Sequence, residues 1–384
     1  MINVLQILPG SKDYNGISNF LLSYYENMDR STIHFDFLFC RENSMKSREN
    51  EPFLCSSKFF VLNAAVSGKL IDSLKLINSI KKVIDEGNYD IIHINTGSIY
   101  ITTCCVYAAS LAHAPYIVAH SHNADPSSIR VRNKTNRIKN DCLNLMRQFI
   151  IRKCDLLFAC SNKAGTYLFG DNIIRNKKYH LIRNAIYVDD YIFDPTIRTA
   201  MRSKLGILDE TNVLGCVGRL AVQKNHLFLV DVFHEYKKLD PGSVLLLVGD
   251  GEEKDRIEEK IKTIGLTNSV RFLGQRKDVN RVLQAIDAFV MTSFFEGLSV
   301  ATIEAQASGL PLFLSDEISY ETDISGLVQF LSLNVDAKEW AENIFSVLSR
   351  KNKRVNMKEI IQNSGYDICQ AGKELEGIYL NLSK

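Results

Sequence analysis

Short runs of apolar residues alternate with longer amphipathic segments along this chain, and that alternation admits few folds. Strands buried on both faces read as near-continuous apolar runs, and parallel neighbours need crossover segments that are usually helical. The class is therefore α/β, with parallel sheets. In the first half the strand candidates are Val4 to Leu8, Phe35 to Phe39, Ile91 to Ile94, Tyr116 to Ala119 and Leu156 to Ala159. Between the second and third, Leu70, Ile71, Leu74, Ile77, Ile80, Val83 and Ile84 recur at helical spacing, and Gly87 can end the helix.

After Asn184 the pattern breaks: YVDDYIFDPTIRTAMRSKLG carries a proline and many charges before a fresh strand begins at Val213. A domain boundary is expected there. The second half repeats the alternation, with strands at 213–217, 244–248, 270–273, 287–291 and 311–314, and residues 366–384 read as a closing helix. The expected domains are 1–188, 206–365 and the helix 366–384. Two open, doubly wound sheets place ligands outside the carboxyl ends of their strands.

Composition narrows the function. Lysine and arginine number 46 against 44 acids, a near balance that argues against a general nucleic-acid binder. The nine cysteines, at 40, 55, 104, 105, 142, 154, 160, 216 and 369, form no Cys-x-x-Cys pair and are odd in number, which suits buried thiols in a reducing compartment. No zinc site is expected. MINVLQILPG lacks a basic leader and a small-residue cleavage site, so it reads as a first strand and the chain is expected to be cytoplasmic. The most apolar longer stretch, residues 99–119, is interrupted by Thr102, Thr103, Ser110, His113 and Pro115, so no membrane span is expected.

Chemistry gathers at predicted strand ends. Glu296-Gly297-Leu298-Ser299 precedes a helical run closed by Gly309, with Ser299 placed to cap it. A helix start there offers free N–H groups and a positive dipole end to a phosphate, and Gly297 lets the ligand approach. Glu304 lies about 7 Å along that helix, within reach of hydroxyls on the same ligand. Taken alone the pair reads equally as solvated charge at an ordinary helix start. Val217-Gly218-Arg219 and Lys224 deliver two cations at another strand edge, suited to a diphosphate leaving group or simply to solvent. Gly249-Asp250-Gly251 is a third strand-end turn, expected to admit a ligand closely. In the first half, Gly16 opens a turn after the first strand, and His120 and His122 alternate at the end of another. No Asp-x-Asp pair occurs, so no metal is expected to hold a diphosphate.

Arg130, Arg132, Lys134, Arg137, Lys139, Arg147, Arg152 and Lys153 face a single acid, Asp141, across 130–153. With Ile138, Leu143, Leu145, Met146, Phe149 and Ile150 this reads either as a basic amphipathic helix on anionic headgroups or as a solvated helix packed on its own domain. Phe149 is the single aromatic residue among these cations, so nucleic acid is not expected as a partner.

Taken together, EGLSVATIEAQASGLPLFLSD, VGRLAVQKNH, VGDGEE and AHSHN resemble glycosyltransferase family 4, most of all its bacterial exopolysaccharide and capsule members, and the similarity runs over nearly the whole chain. The resemblance implies the GT-B architecture, two Rossmann-like domains facing a central cleft, with an acceptor-binding first domain and a donor-binding second. It implies a retaining transfer of a sugar from a nucleoside diphosphate donor, most naturally a UDP-sugar, to a hydroxyl of a saccharide or lipid-linked saccharide, without a cofactor or metal. The leaving phosphate would help deprotonate the acceptor.

By the same resemblance Glu304 binds the ribose, and Glu296 with Gly297, Leu298 and Ser299 holds the donor sugar. Arg219 and Lys224 grip the diphosphate, Gly16 and Gly249 lie at the phosphates, and Gln275 and Arg276 meet the base. His122 sits near the reacting carbon, and His120, Asn123 and Asn184 serve the acceptor side. The segment after Asn184 is the hinge. Arg130, Arg132, Lys134, Arg137 and Lys139 would face an anionic membrane surface, making the protein peripheral on the inner face of the cytoplasmic membrane. The chain departs from the family pattern at Ser299, where proline is usual, at the lone Gly16, and at Arg183-Asn184-Ala185, where Pro-Asn-Gly is common. Two other readings stay open: a nucleotide-sugar epimerase of the same fold, and a membrane-peripheral partner protein without turnover.

Overall fold

The structure, a computed structural model, describes residues 1–8, 16–40, 51–62, 70–122, 137–296, 298–350 and 353–382. Asn123, Arg130, Arg132, Lys134 and Gly297 lie outside the described residues, and Gly16, Arg137 and Lys139 are described by backbone alone.

The chain forms two compact units, residues 1–185 with 368–384, and residues 186–367. The first holds a seven-stranded, all-parallel sheet of β1 (Ile2–Leu8), β2 (Ile33–Phe39), β3 (Phe59–Val61), β4 (Ile91–Thr96), β5 (Tyr116–Ser121), β6 (Leu156–Ala159) and β7 (Tyr179–Leu181), in the order β3-β2-β1-β4-β5-β6-β7. Nearly every residue of the central strands is buried, as continuous apolar runs require. Helix Leu70–Glu86 turns Leu76, Ile77, Ile80 and Ile84 into the core. The last helix, Ile368–Leu382, belongs to this first unit: Glu376 accepts from Asp29 N at 3.0 Å, and Gly372 packs on Asn27, where any larger residue would collide.

The second unit holds a six-stranded parallel sheet of β8 (Val213–Val217), β9 (Val244–Val248), β10 (Val270–Gly274), β11 (Ala288–Met291), β12 (Leu312–Ser315) and β13 (Val328–Leu331), in the order β10-β9-β8-β11-β12-β13. Helices cover both faces, with Trp340, Phe233 and Tyr236 in one core layer and Met201, Leu283, Ile286 and Leu310 in the other.

The segment expected to be an irregular hinge is ordered and belongs to the second unit. It forms a single turn, Val188–Tyr191, and helix Pro195–Lys204, in which Asp194 accepts from Thr196 N and Ile197 N. Pro195 starts this helix rather than breaking it, because the first helical position needs no N–H bond. Two of its charges turn inward: Arg198 meets Asp287 at 2.6 Å, and Arg202 is buried against the same carboxylate at 3.2 Å. The unit boundary consequently falls at Ala185/Ile186, and the second unit starts well before residue 206.

Candidate active site

In a doubly wound sheet the ligand crevice opens where strand order reverses. In the second unit that point lies between β8 and β11. Beyond β8 the chain passes Gly218 and Arg219, makes the turn Val222–Lys224, and reverses at Asn225, which adopts a left-handed φ of 52°. Beyond β11 runs the loop 292–296. Hydrogen bonds stitch the two loops: Phe294 N to Gln223 O at 2.9 Å, Gln223 Nε2 to Phe295 O at 2.8 Å, and Thr292 Oγ1 to Asn225 O at 2.9 Å and Lys224 O at 3.4 Å.

This stitching brings Lys224 Nζ to 2.8 Å from Glu296 Oε1, with side chains only 14% and 8% exposed. Beneath them burial pushes the Cys216 thiol up to about 12. Arg219 stands in solvent and meets Glu252 at 3.1 Å. Each cation is thus paired with a carboxylate. An arriving diphosphate would exchange those partners for its own oxygens, a contact that charge-assisted bonds make strong.

Gly249 does a different job from the one expected. Its φ is 133°, and a Cβ there would fall on Gly218 O, so the glycine lets its own neighbouring loop approach rather than a ligand. Gly251 does the same against Leu220. Gln275 is exposed just past β10, and Arg276 is clamped bidentately on Asp278 at 2.7 and 2.6 Å, which holds the Asp278 carboxyl below its ordinary range.

Helix Val300–Ala307 follows the loop, with Leu298 and Ser299 buried before it. Ser299 occupies the N-cap position, but its hydroxyl makes no cap bond; instead its carbonyl accepts from Thr302 Oγ1 at 2.6 Å. The side-chain cap expected of Ser299 is absent. Gly309 ends the helix with φ 67°, as a C′ glycine should. Glu304 accepts from Tyr191 Oη at 2.7 Å, and burial raises both groups above their ordinary values. Tyr191 escaped the sequence reading, since nothing local ties it to a residue so far along the chain.

In the first unit, His120 and His122 leave β5 with ring centroids 3.9 Å apart. His122 Nε2 is 3.0 Å from Asn95 Oδ1, and burial pushes its imidazole down to about 3. His120 is fully buried, its nitrogens without hydrogen-bond partners among the described residues. An acceptor contact by its ring does not fit this placement; it lies beneath His122 and packs. Gly16 opens helix Gly16–Glu26, whose Phe20 presents its ring to both histidines at 5.2 and 5.1 Å. Asn184 is half-buried beyond β7, beside Arg183, whose carbonyl accepts from Tyr24 Oη at 2.6 Å.

The basic segment includes helix Arg137–Lys153. Leu143, Met146, Phe149 and Ile150 pack into the first core, so the apolar face expected to meet headgroups points inward; Leu145 alone of the described set is exposed. Arg147 donates to Tyr167 O at 2.9 Å. A cavity of about 750 Å³ in the second unit lies at the opposite, amino edge of the sheet, lined in part by Arg198, Asp287 and Arg354. Two of its arginines cap helix Val279–Ala285: Arg354 reaches Leu283 O at 3.2 Å and Arg198 reaches Gln284 O at 3.1 Å. Among the described residues no His, Cys, Asp and Glu group could hold a metal ion, and no helix is long and apolar enough to cross a membrane.

Comparison with known proteins agrees with this layout. Residues 197–364 match the family model for glycosyl transferases group 1, and residues 14–190 match that for glycosyltransferase family 4. The chain is 33% identical to EpsF of Bacillus subtilis (strain 168), a protein named as a glycosyltransferase, over 98% of this chain and 96% of that one. It is 26% identical to the Escherichia coli UDP-Gal:alpha-D-GlcNAc-diphosphoundecaprenol alpha-1,3-galactosyltransferase, over 84% of each. Anabaena Alr3699/HepE, solved in complex with UDP, superposes with a TM-score of 0.76 at 20% identity, covering 99% of this chain and 100% of that one. The chain therefore belongs to glycosyltransferase family 4, the group 1 glycosyl transferases, and is a glycosyltransferase of the GT-B fold.

Proposed function

We propose that the chain is a retaining, metal-independent hexosyltransferase that moves a sugar from a UDP-sugar to a hydroxyl of a lipid-linked saccharide in surface-polysaccharide biosynthesis. The observation that carries the reading is the Lys224–Glu296 pair at the strand-order reversal of the second sheet, with Arg219 on the same loop as Lys224. In this reading Lys224 and Arg219 stabilise negative charge on the departing diphosphate, an interaction that grows toward the transition state. Glu304 takes the ribose hydroxyls with the oxygen that Tyr191 leaves open, Glu296 and the backbone of 297–299 hold the sugar, and His122 works at the reaction site of the first unit. Gln275 and Arg276 border the base.

The UDP in the HepE structure and the diphosphoundecaprenol acceptor in the name of the Escherichia coli relative support the choice of nucleotide and acceptor class. The basic stretch 130–139 supports a location at the inner membrane face. A thermal-shift screen of nucleotide sugars tests the donor, because a ligand bound only by the folded state raises Tm. The expected result is a shift with UDP-sugars that survives chelator and disappears in Lys224→Ala. A shift that requires added divalent metal, or that persists in Lys224→Ala, would overturn the assignment.

A further inference from the structure

Behind His122 lies a closed set of polar side chains contributed by β1, β4 and helix Ile368–Leu382: Gln6, His93, Asn95 and Tyr379, all buried. Asn95 Nδ2 lies 2.9 Å from Gln6 Oε1 and 3.3 Å from the carbonyl oxygen of His93, while Asn95 Oδ1 lies 3.0 Å from His122 Nε2. Gln6 Nε2 lies 3.4 Å from Tyr379 Oη, which in turn is 2.6 Å from His93 Nδ1.

The direction of the bonds from His122 to Tyr379 follows from one atom. A backbone carbonyl only accepts, so the end of the Asn95 amide that faces His93 O must be its –NH2. Reversing the amide would bring two unprotonated oxygens to 3.3 Å. With that end fixed, Asn95 Oδ1 is an acceptor, and His122 Nε2 must supply the proton. Gln6 Oε1 then accepts from Asn95, and Gln6 Nε2 donates to Tyr379 Oη, which pairs with His93 Nδ1. Packing keeps the His122 ring in place, with His120 against it at 3.9 Å and Phe20 at 5.1 Å between centroids. Burial keeps the imidazole neutral, so one nitrogen carries a proton and the other a lone pair.

We propose that Asn95, backed by Gln6 and Tyr379, is a positioning residue that locks His122 in the Nε2–H tautomer, so that Nδ1 meets substrate solely as a hydrogen-bond acceptor. The ligand group this selects is a hydroxyl, of the transferred sugar or of the acceptor; a phosphate oxygen, which needs a donor, is refused. The functional half of this proposal rests on the reading of His122 as a reaction-site residue, whereas the tautomer stands by itself. The last helix thereby contributes to the state of a ring on a strand remote in sequence.

The test is a long-range proton–nitrogen correlation spectrum of the full chain labelled with ¹⁵N-histidine, with His122 assigned through His122→Gln. The expected spectrum shows a protonated, pyrrole-type Nε2 and a bare, pyridine-type Nδ1 at neutral pH. A protonated Nδ1, or an averaged mixture, would overturn the lock. Asn95→Leu is expected to give the mixture and a kcat loss of about 10- to 100-fold, with the KM for donor little changed. If Asn95→Leu does not fold, Tyr379→Phe, which breaks the chain further back, gives the same readout in weaker form. Unchanged kcat in a folded Asn95→Leu protein would refute positioning. Wild-type turnover in His122→Ala would instead remove His122 from the reaction, leaving the wild-type spectrum to judge the tautomer.

Discussion

Tyr191 Oη donates to Glu304 Oε1 across 2.7 Å, joining the single turn Val188–Tyr191 to helix Val300–Ala307. A hydrogen bond to a charged group contributes about 1.5–3 kcal/mol, so Tyr191→Phe should destabilise the second unit by an amount in that range. In the proposed donor site it should also raise the KM for donor several-fold, since the carboxylate loses the contact that orients it. Denaturation and initial rates on the same variant check both.

Glu304 adds a pH dependence. Burial raises its carboxyl above 4.5, so the folded chain holds a proton that the unfolded chain has released. The unfolded state then binds fewer protons, and stability falls as pH rises from the unfolded value toward the folded one. Glu304→Gln keeps an acceptor for Tyr191 and removes the buried charge. Its Tm relative to the parent should therefore be higher at about pH 8 than at about pH 4. A difference that does not vary with pH would show that charge burial is not the cause.

The Lys224–Glu296 pair, at 2.8 Å, predicts non-additive mutations. Removing one partner strands the other charge in a poorly hydrated place, at about 3 kcal/mol. The double variant Lys224→Met/Glu296→Leu should lose clearly less than the sum of the singles. Urea titrations without nucleotide measure the cycle, and simple additivity would mean that the charges do not couple. In the presence of donor, Lys224→Met should lower kcat about 100-fold or more.

Three stacked histidines predict how the first unit responds to acid. Burial depresses His93 and His120 well below 6.5 and His122 to about 3, so all three are neutral in the fold. The stability they contribute is present above pH 6.5 and is lost as pH falls from there toward the folded values. Each contributes about 1.4 kcal/mol per pH unit in that window, about 4 kcal/mol together. His120→Phe should flatten the slope by about a third, which unfolding midpoints across that range will read. An unchanged slope would mean that His120 takes up its proton without unfolding.

Gly249→Ala places a methyl group on Gly218 O at a φ of 133°. Strain and overpacking of this kind cost about 2–5 kcal/mol. The loop that must give way carries Arg219, so donor affinity should fall alongside stability. A stable variant with parental donor binding would refute the role assigned to this glycine.

How far the sequence could be read depended on length and on distance. Strands such as β1, β4, β8 and β9 are long apolar runs and stand at or within two residues of their expected limits. β3, β7 and β13 escaped notice because three or four half-buried residues at or near a sheet edge carry no periodicity. Helix Pro195–Lys204 was hidden by its own surface charge, since only Met201 and Arg202 on it are fully buried. The loops bearing Arg219, Lys224 and Glu296 were visible because strand ends punctuate the text. Tyr191, Asn95, Gln6 and Tyr379 were not: each acquires its meaning from a partner distant in the chain, and Gly249 acquires its from a backbone that only the folded sheet brings near.

Helix Ile368–Leu382 belongs with residues 1–185, although residues 186–367 intervene. The earlier-made half waits for its last helix, and Gln6 and His93 stay without Tyr379 until translation has passed that point. A chain ending at residue 367 should therefore hold a protease-resistant second unit together with a first unit that is still open to cleavage.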